Sequence, residues 1–157
     1  MLLLRMDTSS THPLHRRIVA ALIPITAVIA AAGCLLPWER LRVLVGGDDQ
    51  TTSIDVLHGS GIVACAGVML ALLACAYRLW FGQAGRFGDL AIVVAGALVA
   101  AGTGLYTTYG GYAPRQGDGF TISLGAGFFV CAACAVVLIA AGVIQLLSAP
   151  LRRSGQS

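Results

Sequence analysis

The stretch HGSGIVACAGVMLALLA, residues 58–74, decides the fold, because the chain carries this apolar pattern twice. Its second version is LGAGFFVCAACAVVLIA, residues 124–140. A helix needs roughly 20 mostly apolar residues to cross the hydrocarbon of a bilayer. Each version forms the main part of such a span. The aligned positions are Gly59 with Gly125, Gly61 with Gly127, Cys65 with Cys131, and Ala66 with Ala132.

Composition extends this prediction to the whole chain. Charged residues make up 11% of the 157 residues, whereas soluble domains carry about 25%. Lipid leaves helices and closed barrels as the only stable spanning structures, and runs this apolar are not barrel strands. The sequence therefore predicts an all-α membrane protein with a four-transmembrane-helix bundle and a small extracytoplasmic loop region. The uncharged stretches are 18–38, 56–77, 90–113 and 119–151.

These stretches set the predicted domain boundaries. A disordered cytoplasmic tail covers residues 1–17, and a second cytoplasmic tail covers 151–157. The transmembrane domain covers 18–150. Its predicted helices are about 18–37, 55–79, 90–109 and 120–147.

Arginine placement predicts the orientation. Seven of the ten arginines lie in the two tails and the middle connection, and three lie in the other two connections. The positive-inside rule then puts both termini in the cytoplasm of a bacterial inner (plasma) membrane. The net charge of +3 is a topology signal, and with no basic cluster it predicts no nucleic-acid partner.

Small residues four apart predict how the helices pack. In a bilayer, helices associate through close backbone approach over small side chains. Because the pattern occurs once in each half of the chain, we predict two parallel helical-hairpin repeats, with chance similarity of two small-residue-rich helices as the alternative. The predicted packing residues are Gly61, Cys65, Gly96, Ala100, Gly104, Gly127, Cys131 and Ala135.

Five cysteines lie in the apolar segments. Cys131 and Cys134 form a CxxC, which can be a redox pair or a metal clip, but buried cysteine mostly packs as a small hydrophobe. A disulfide between Cys65 and Cys131 is an alternative. Cys34 follows a basic start and an apolar run, as in a lipoprotein signal. That run continues to Trp38, so an uncleaved helix is predicted.

Asp55, His58 and Asp118 are the other candidate functional residues. Asp55 and His58 are three apart at the start of the second helix, where they would share a face. A metal or proton site is one interpretation. An acid that stabilises a helix start is the simpler one, because zinc usually needs three or four protein ligands. No catalytic residue, metal ligand or cofactor is therefore assigned.

The first outer connection contains the alternating piece RLRVLV, a Gly-Gly-Asp-Asp turn and a threonine-rich piece, residues 40–52. Alternation on both sides of a turn is typical of a β-hairpin.

AAGCLLPWERLRV, residues 31–43, followed by DVLHGSGIV, residues 55–63, resembles small actinobacterial four-helix membrane proteins of unknown function. In that family a helix ends in Leu-Pro-Trp and an Asp/Gly pattern opens the next helix. Here three residues, Val-Leu-His, separate Asp55 from Gly59, which departs from the tighter form. The resemblance implies membrane location and four helices, and it implies no activity.

The function expected from these observations is non-enzymatic. We expect an accessory, assembly or scaffold partner in a bacterial envelope complex, in contact with membrane lipids and with other membrane proteins or copies of itself. A small passive channel or transporter is the alternative, and a membrane thiol-redox or metal-dependent enzyme is the third.

Overall fold

The structure is a computed structural model that describes residues 12–45, 48–54, 61–81, 86–109, 116–117 and 120–148. All four helices in these ranges are long and apolar enough to cross a membrane, so the chain is a multi-pass membrane protein with an all-α four-helix bundle. The helices are α1 (His12–Leu35), α2 (Gly61–Phe81), α3 (Arg86–Tyr109) and α4 (Ala126–Ser148).

Three predicted helix starts differ from the structure, and one of them is that of α3, which begins at Arg86 instead of residue 90. Helix α1 begins at His12, so residues 12–17 are helical and do not belong to a disordered tail; residues 1–11 lie outside the described residues. Helix α4 begins at Ala126 instead of residue 120. The segment before it, Phe120–Leu124, is a strand because polar Thr121 and Ser123 alternate with apolar neighbours.

The helices follow one another around the bundle. Helix α2 packs against α3, α3 against α4, and α4 against α1, while the contact between α1 and α2 is much smaller. Both ends of the chain's helical part, the start of α1 and the end of α4, therefore lie at one end of the bundle. The connections after α1 and α3 lie at the other end, which we call the sheet end.

Glycines set the distance between the helices. A Cβ atom on Gly102 of α3 would overlap the backbone of Ala64 on α2, and one on Gly67 of α2 would lie 2.8 Å from the Ala95 carbonyl oxygen. Between α3 and α4, a Cβ on Gly96 would lie 3.0 Å from the Ile139 nitrogen. Because every one of these contacts involves backbone, the bundle is held by direct approach of its helices, as expected in lipid.

A four-stranded antiparallel sheet covers the sheet end, in the order β2-β1-β4-β3. The strands are β1 (Glu39–Val45), β2 (Asp48–Ile54), β3 (Gln116–Gly117) and β4 (Phe120–Leu124). Strands β1 and β2 confirm the predicted hairpin in the first connection. The sheet also joins the two connections, because β1 pairs with β4 and places Arg42 opposite Thr121. Sequence analysis did not foresee this pairing.

The predicted internal duplication stays a prediction. A two-fold repeat would give equivalent contacts for the α1–α2 and α3–α4 hairpins, yet the first pair touches far less than the second. The sheet also lacks the symmetry of such a repeat, because its two central strands are the first strand of one hairpin and the second strand of the other.

Candidate functional site at the sheet end

The predicted candidates divide into two groups. Asp55, His58 and Asp118 lie outside the described residues. Cys131 and Cys134 are both buried on α4, in the core cluster nearest the sheet. The structure adds three buried polar or aromatic residues to this region: Trp38, Glu39 and Tyr106.

Trp38 anchors the sheet on the helices. Its side chain has no exposed surface, and its indole Nε1 donates a hydrogen bond to the Gly33 carbonyl oxygen at 3.2 Å. Its ring centroid lies 5.2 Å from that of Tyr106 on α3 and 5.9 Å from that of Phe128 on α4, both edge-on. Edge-on aromatic pairs are worth about 0.5–1.5 kcal/mol beyond the area they bury. This aromatic cluster of Trp38, Tyr106 and Phe128 therefore links three helices to strand β1.

The backbone beside Trp38 caps helix α4. The first amide groups of a helix lack partners inside it. Here the Gly127 N–H donates to the Pro37 carbonyl oxygen at 3.2 Å, and the Gly125 N–H donates to the Trp38 carbonyl oxygen at 2.7 Å. A Cβ atom on Gly125 would overlap that Pro37 carbonyl, so glycine is required for the approach.

Glu39 is a buried acid directly above this cluster. Its side chain is fully buried, its two carboxylate oxygens make no hydrogen bond within the described residues, and the Tyr106 hydroxyl is close enough to affect the pKa of its carboxyl. Burial raises the pKa of the Glu39 carboxyl above its ordinary value of 4.5, and the nearby Tyr106 hydroxyl offsets part of that rise. The sequence carried a signal for this burial: in ERLRVLV, Glu39 alternates with Leu41 and Val43, so it shares their inner face.

The opposite face of β1 is basic and solvent-facing. Arg40 and Arg42 are exposed, and the neighbouring strands place exposed hydroxyl side chains beside them. Arg42 pairs with Thr51 of β2 and Thr121 of β4, and Arg40 pairs with Ser123 of β4. This face, with its two arginines among hydroxyls, could bind an acidic or polar partner surface through charge-assisted hydrogen bonds.

Below the aromatic cluster lies a group of four cysteines from three helices. The Cys34 and Cys131 sulfur atoms are 3.9 Å apart, and the Cys131 sulfur is 3.6 Å from the Ala30 carbonyl oxygen. Cys65 lies within hydrogen-bonding reach of Cys34, and Cys134 lies in the same core cluster. All the cysteines are free thiols. Within the described residues, no group of three or more His, Cys, Asp and Glu side chains is arranged to hold a metal ion.

The predicted packing residues differ in burial within the bundle. Buried positions at helix contacts include Gly61, Gly96, Gly127, Cys131 and Ala135, and Cys65 packs at the edge of the core. Ala100 and Gly104 face outward, with open space around a Cβ built on Gly104, so they make no close contact within the bundle. Helix α3 instead uses Gly102, which lies on the other side of the helix and contacts α2.

At the other end of the bundle, Arg78 of α2 and Asp89 of α3 form an ion pair that is largely buried. Beside it is an apolar groove of about 630 Å³ between α2 and α3. Its walls include Tyr77, Trp80 and Phe87. The aromatic rings there are exposed on the helix surfaces, where lipid would contact them.

Comparison with known proteins assigns no family. No protein-family model matches the chain, and no curated protein sequence is similar to it. The sheet end is therefore characterised by its own geometry. It contains a polar sheet that is anchored on the helices, one buried acid and a group of closely spaced thiols.

Proposed function

We propose that this chain is a non-enzymatic scaffold or assembly partner of a bacterial envelope complex, which holds a small sheet outside the membrane for a partner protein to bind. The observation that carries this proposal is the β1–β4 pairing, which merges the two connections into one sheet on top of the bundle. A shared sheet anchored by Trp38 keeps its exposed face in a fixed orientation. A fixed face lowers the entropic cost of docking a partner.

Charge distribution supports the orientation. The connections that form the sheet are poor in arginine, and the tails and the middle connection are rich in it. With the positive-inside rule, both termini are cytoplasmic and the sheet is extracytoplasmic. Arg40 and Arg42 on the outer face of β1 then provide the basic contacts for an acidic partner surface.

Interior packing supports a scaffold over a channel. The helices touch through backbone at Gly67, Gly96 and Gly102, and these contacts leave no room between the helix pairs for a side chain. A conducting path needs a polar lining or a water-filled passage. The side chains in the middle of the described core are mainly alanine, valine, isoleucine and leucine.

A second surface for partner contact lies within the membrane. On α3, Gly104 and the exposed Ala97, Ala100 and Ala101 face away from the bundle. Exposed small residues let a neighbouring helix approach closely in lipid. A partner helix or a second copy of this chain could pack there while the sheet contacts the partner's extracytoplasmic part.

Native mass spectrometry of the tagged chain, extracted from its own membrane in mild detergent, tests this proposal. We expect a complex of defined stoichiometry, which is weakened by Arg40→Ala/Arg42→Ala and by Gly104→Leu. Gly104→Leu adds a side chain into open space, so its effect reports a contact outside the chain.

The matched control is Val136→Ala, which shortens a side chain that is 67% exposed on α4 and should leave the complex intact. A chain that is monomeric in every mild detergent would contradict the proposal. So would a complex that none of the surface variants weakens.

A further inference from the structure

We propose that Cys34 and Cys131 are a disulfide-forming pair that ties α1 to α4 beneath the sheet. Their sulfur atoms are 3.9 Å apart and are not covalently bonded. A small side-chain rotation would bring them to the usual disulfide length of about 2.05 Å. The pairing follows from bundle geometry, and its oxidising surroundings rest on the extracytoplasmic sheet of the proposed function.

The backbones around the two cysteines are close enough for this bond. A Cβ atom on Gly33, the neighbour of Cys34, would lie 3.0 Å from the Cys131 sulfur. One turn earlier in α4, a Cβ on Gly127 would lie 2.6 Å from the Gly33 carbonyl oxygen. Disulfides require Cα atoms within about 7 Å, which two helices can reach only where glycine lets them approach.

Geometry favours this pair over the CxxC. Cys131 and Cys134 lie three residues apart on one helix, where Cβ atoms are about 5–6 Å apart. A disulfide needs about 3.5–4.5 Å between Cβ atoms. While α4 stays helical, the better partner for Cys131 is therefore across the helix interface.

The two thiols differ in accessibility, so Cys34 reacts with an external disulfide first and Cys131 reacts second. Cys34 is half-buried, next to the smaller α1–α2 contact, whereas Cys131 is fully buried. Both lie near the sheet end: Cys34 is one residue from the end of α1, and Cys131 is about 8 Å along the axis from the start of α4. With the sheet outside the membrane, they lie on the side where disulfides persist.

The oxidant is an external disulfide, either a protein disulfide of the envelope or a small-molecule one. Cys34 attacks it as the thiolate, one sulfur of the external disulfide leaves as a thiolate, and a mixed disulfide forms on Cys34. Cys131 then attacks the Cys34 sulfur and releases the second external thiolate. Two S–H bonds break and one S–S bond forms in the chain. The external disulfide becomes two thiols, which take up the two protons.

Oxidation of the full chain in its membrane tests the proposal. The membrane is treated with the apolar linear disulfide 2,2′-dithiodipyridine, free thiols are blocked with N-ethylmaleimide, and digested peptides are identified by mass spectrometry. We expect one peptide pair linked through Cys34 and Cys131, lost on reduction, with a raised melting temperature of roughly 5–10 °C for the oxidised chain.

Single cysteine-to-alanine variants test which two cysteines form the disulfide. Cys34→Ala and Cys131→Ala should each abolish the linked pair and the temperature shift. Cys65→Ala, next to the pair, and Cys75→Ala, in the other core cluster, should leave both unchanged. The proposal is overturned if the wild-type chain keeps all its thiols free, or if the link found joins Cys65 to Cys34 or to Cys131. The wild-type mapping decides the question even where a variant fails to fold.

Discussion

The two tryptophans show how differently the two ends of the bundle are built. Trp38 is fully buried beneath the sheet, whereas Trp80 is 87% exposed at the other end. At the sheet end, aromatic packing, a buried acid and glycine contacts hold helices and strands together. At the other end, an ion pair joins α2 to α3 and the aromatic side chains point outward. The sheet end therefore has a well-packed site with buried polar and aromatic side chains, whereas the other end mainly exposes side chains to lipid.

The largest effect is expected from Trp38→Ala. It removes the ring that touches Tyr106 and Phe128 and leaves a cavity between the sheet and three helices. We expect a loss of about 3–5 kcal/mol in the free energy of unfolding, measured by denaturant titration in detergent micelles. A loss below about 1 kcal/mol would mean that Trp38 does not anchor the sheet.

The next effect is expected at the ion pair. Asp89→Ala leaves the Arg78 guanidinium in a largely buried position without its carboxylate. Breaking a buried pair in this way costs about 3 kcal/mol, and the same titration measures it. The exchanged pair Arg78→Asp/Asp89→Arg should recover part of this loss. If the exchange is no better than the single change, the pairing is not what joins α2 to α3 at this end.

A smaller, pH-dependent effect is expected at Glu39. Burial raises the pKa of its carboxyl in the folded chain, so folding is favoured below the unfolded value of about 4.5. That contribution is lost as the pH rises through the folded pKa. Thermal unfolding of the wild type should therefore show higher stability at pH 5 than at pH 8, and Glu39→Gln should lose this dependence. Tyr106→Phe removes the hydroxyl group that lowers the pKa of Glu39, so the transition should move to higher pH. Equal pH dependence in wild type and Glu39→Gln would contradict the assignment.

The smallest effect is expected from Trp80→Ala. Its side chain is exposed on α2, so its removal creates no cavity. We expect a change within about 0.5 kcal/mol in the titration used for Trp38→Ala. A loss as large as that of Trp38→Ala would remove the difference between the two ends.

Apolar runs were enough to predict the four helices, because lipid leaves few other structures for them. The local pattern of RLRVLV was enough to predict the first hairpin. The β1–β4 pairing was not predictable, since it joins segments far apart in sequence and β4 is five residues long. Phe120–Leu124 was assigned to a helix because an uncharged run does not by itself distinguish a strand from a helix.

The site at the sheet end was predicted only in its cysteines. Glu39 follows Pro-Trp at the end of a transmembrane run, and its sequence position alone does not assign it a role. Its burial depends on which face of β1 turns toward the bundle. Once residues 39–45 are known to form a strand, alternation along that strand places Glu39 on the inner face. Gly102 and Gly104 differ by two residues on one helix, so spacing alone could not tell which one contacts α2.

Both connections form one sheet on the bundle, and a cross-link between β1 and β4 is a direct test of this pairing. Arg42 and Thr121 are directly opposite and exposed, so cysteines there have Cβ atoms about 4.5–5.5 Å apart. The test uses Arg42→Cys/Thr121→Cys, with each single change as a control, and peptide mapping after reaction with a short bifunctional thiol reagent that bridges this distance. We predict a link between positions 42 and 121 in the double variant. A double variant whose new cysteines stay unlinked while the chain remains folded would contradict the account.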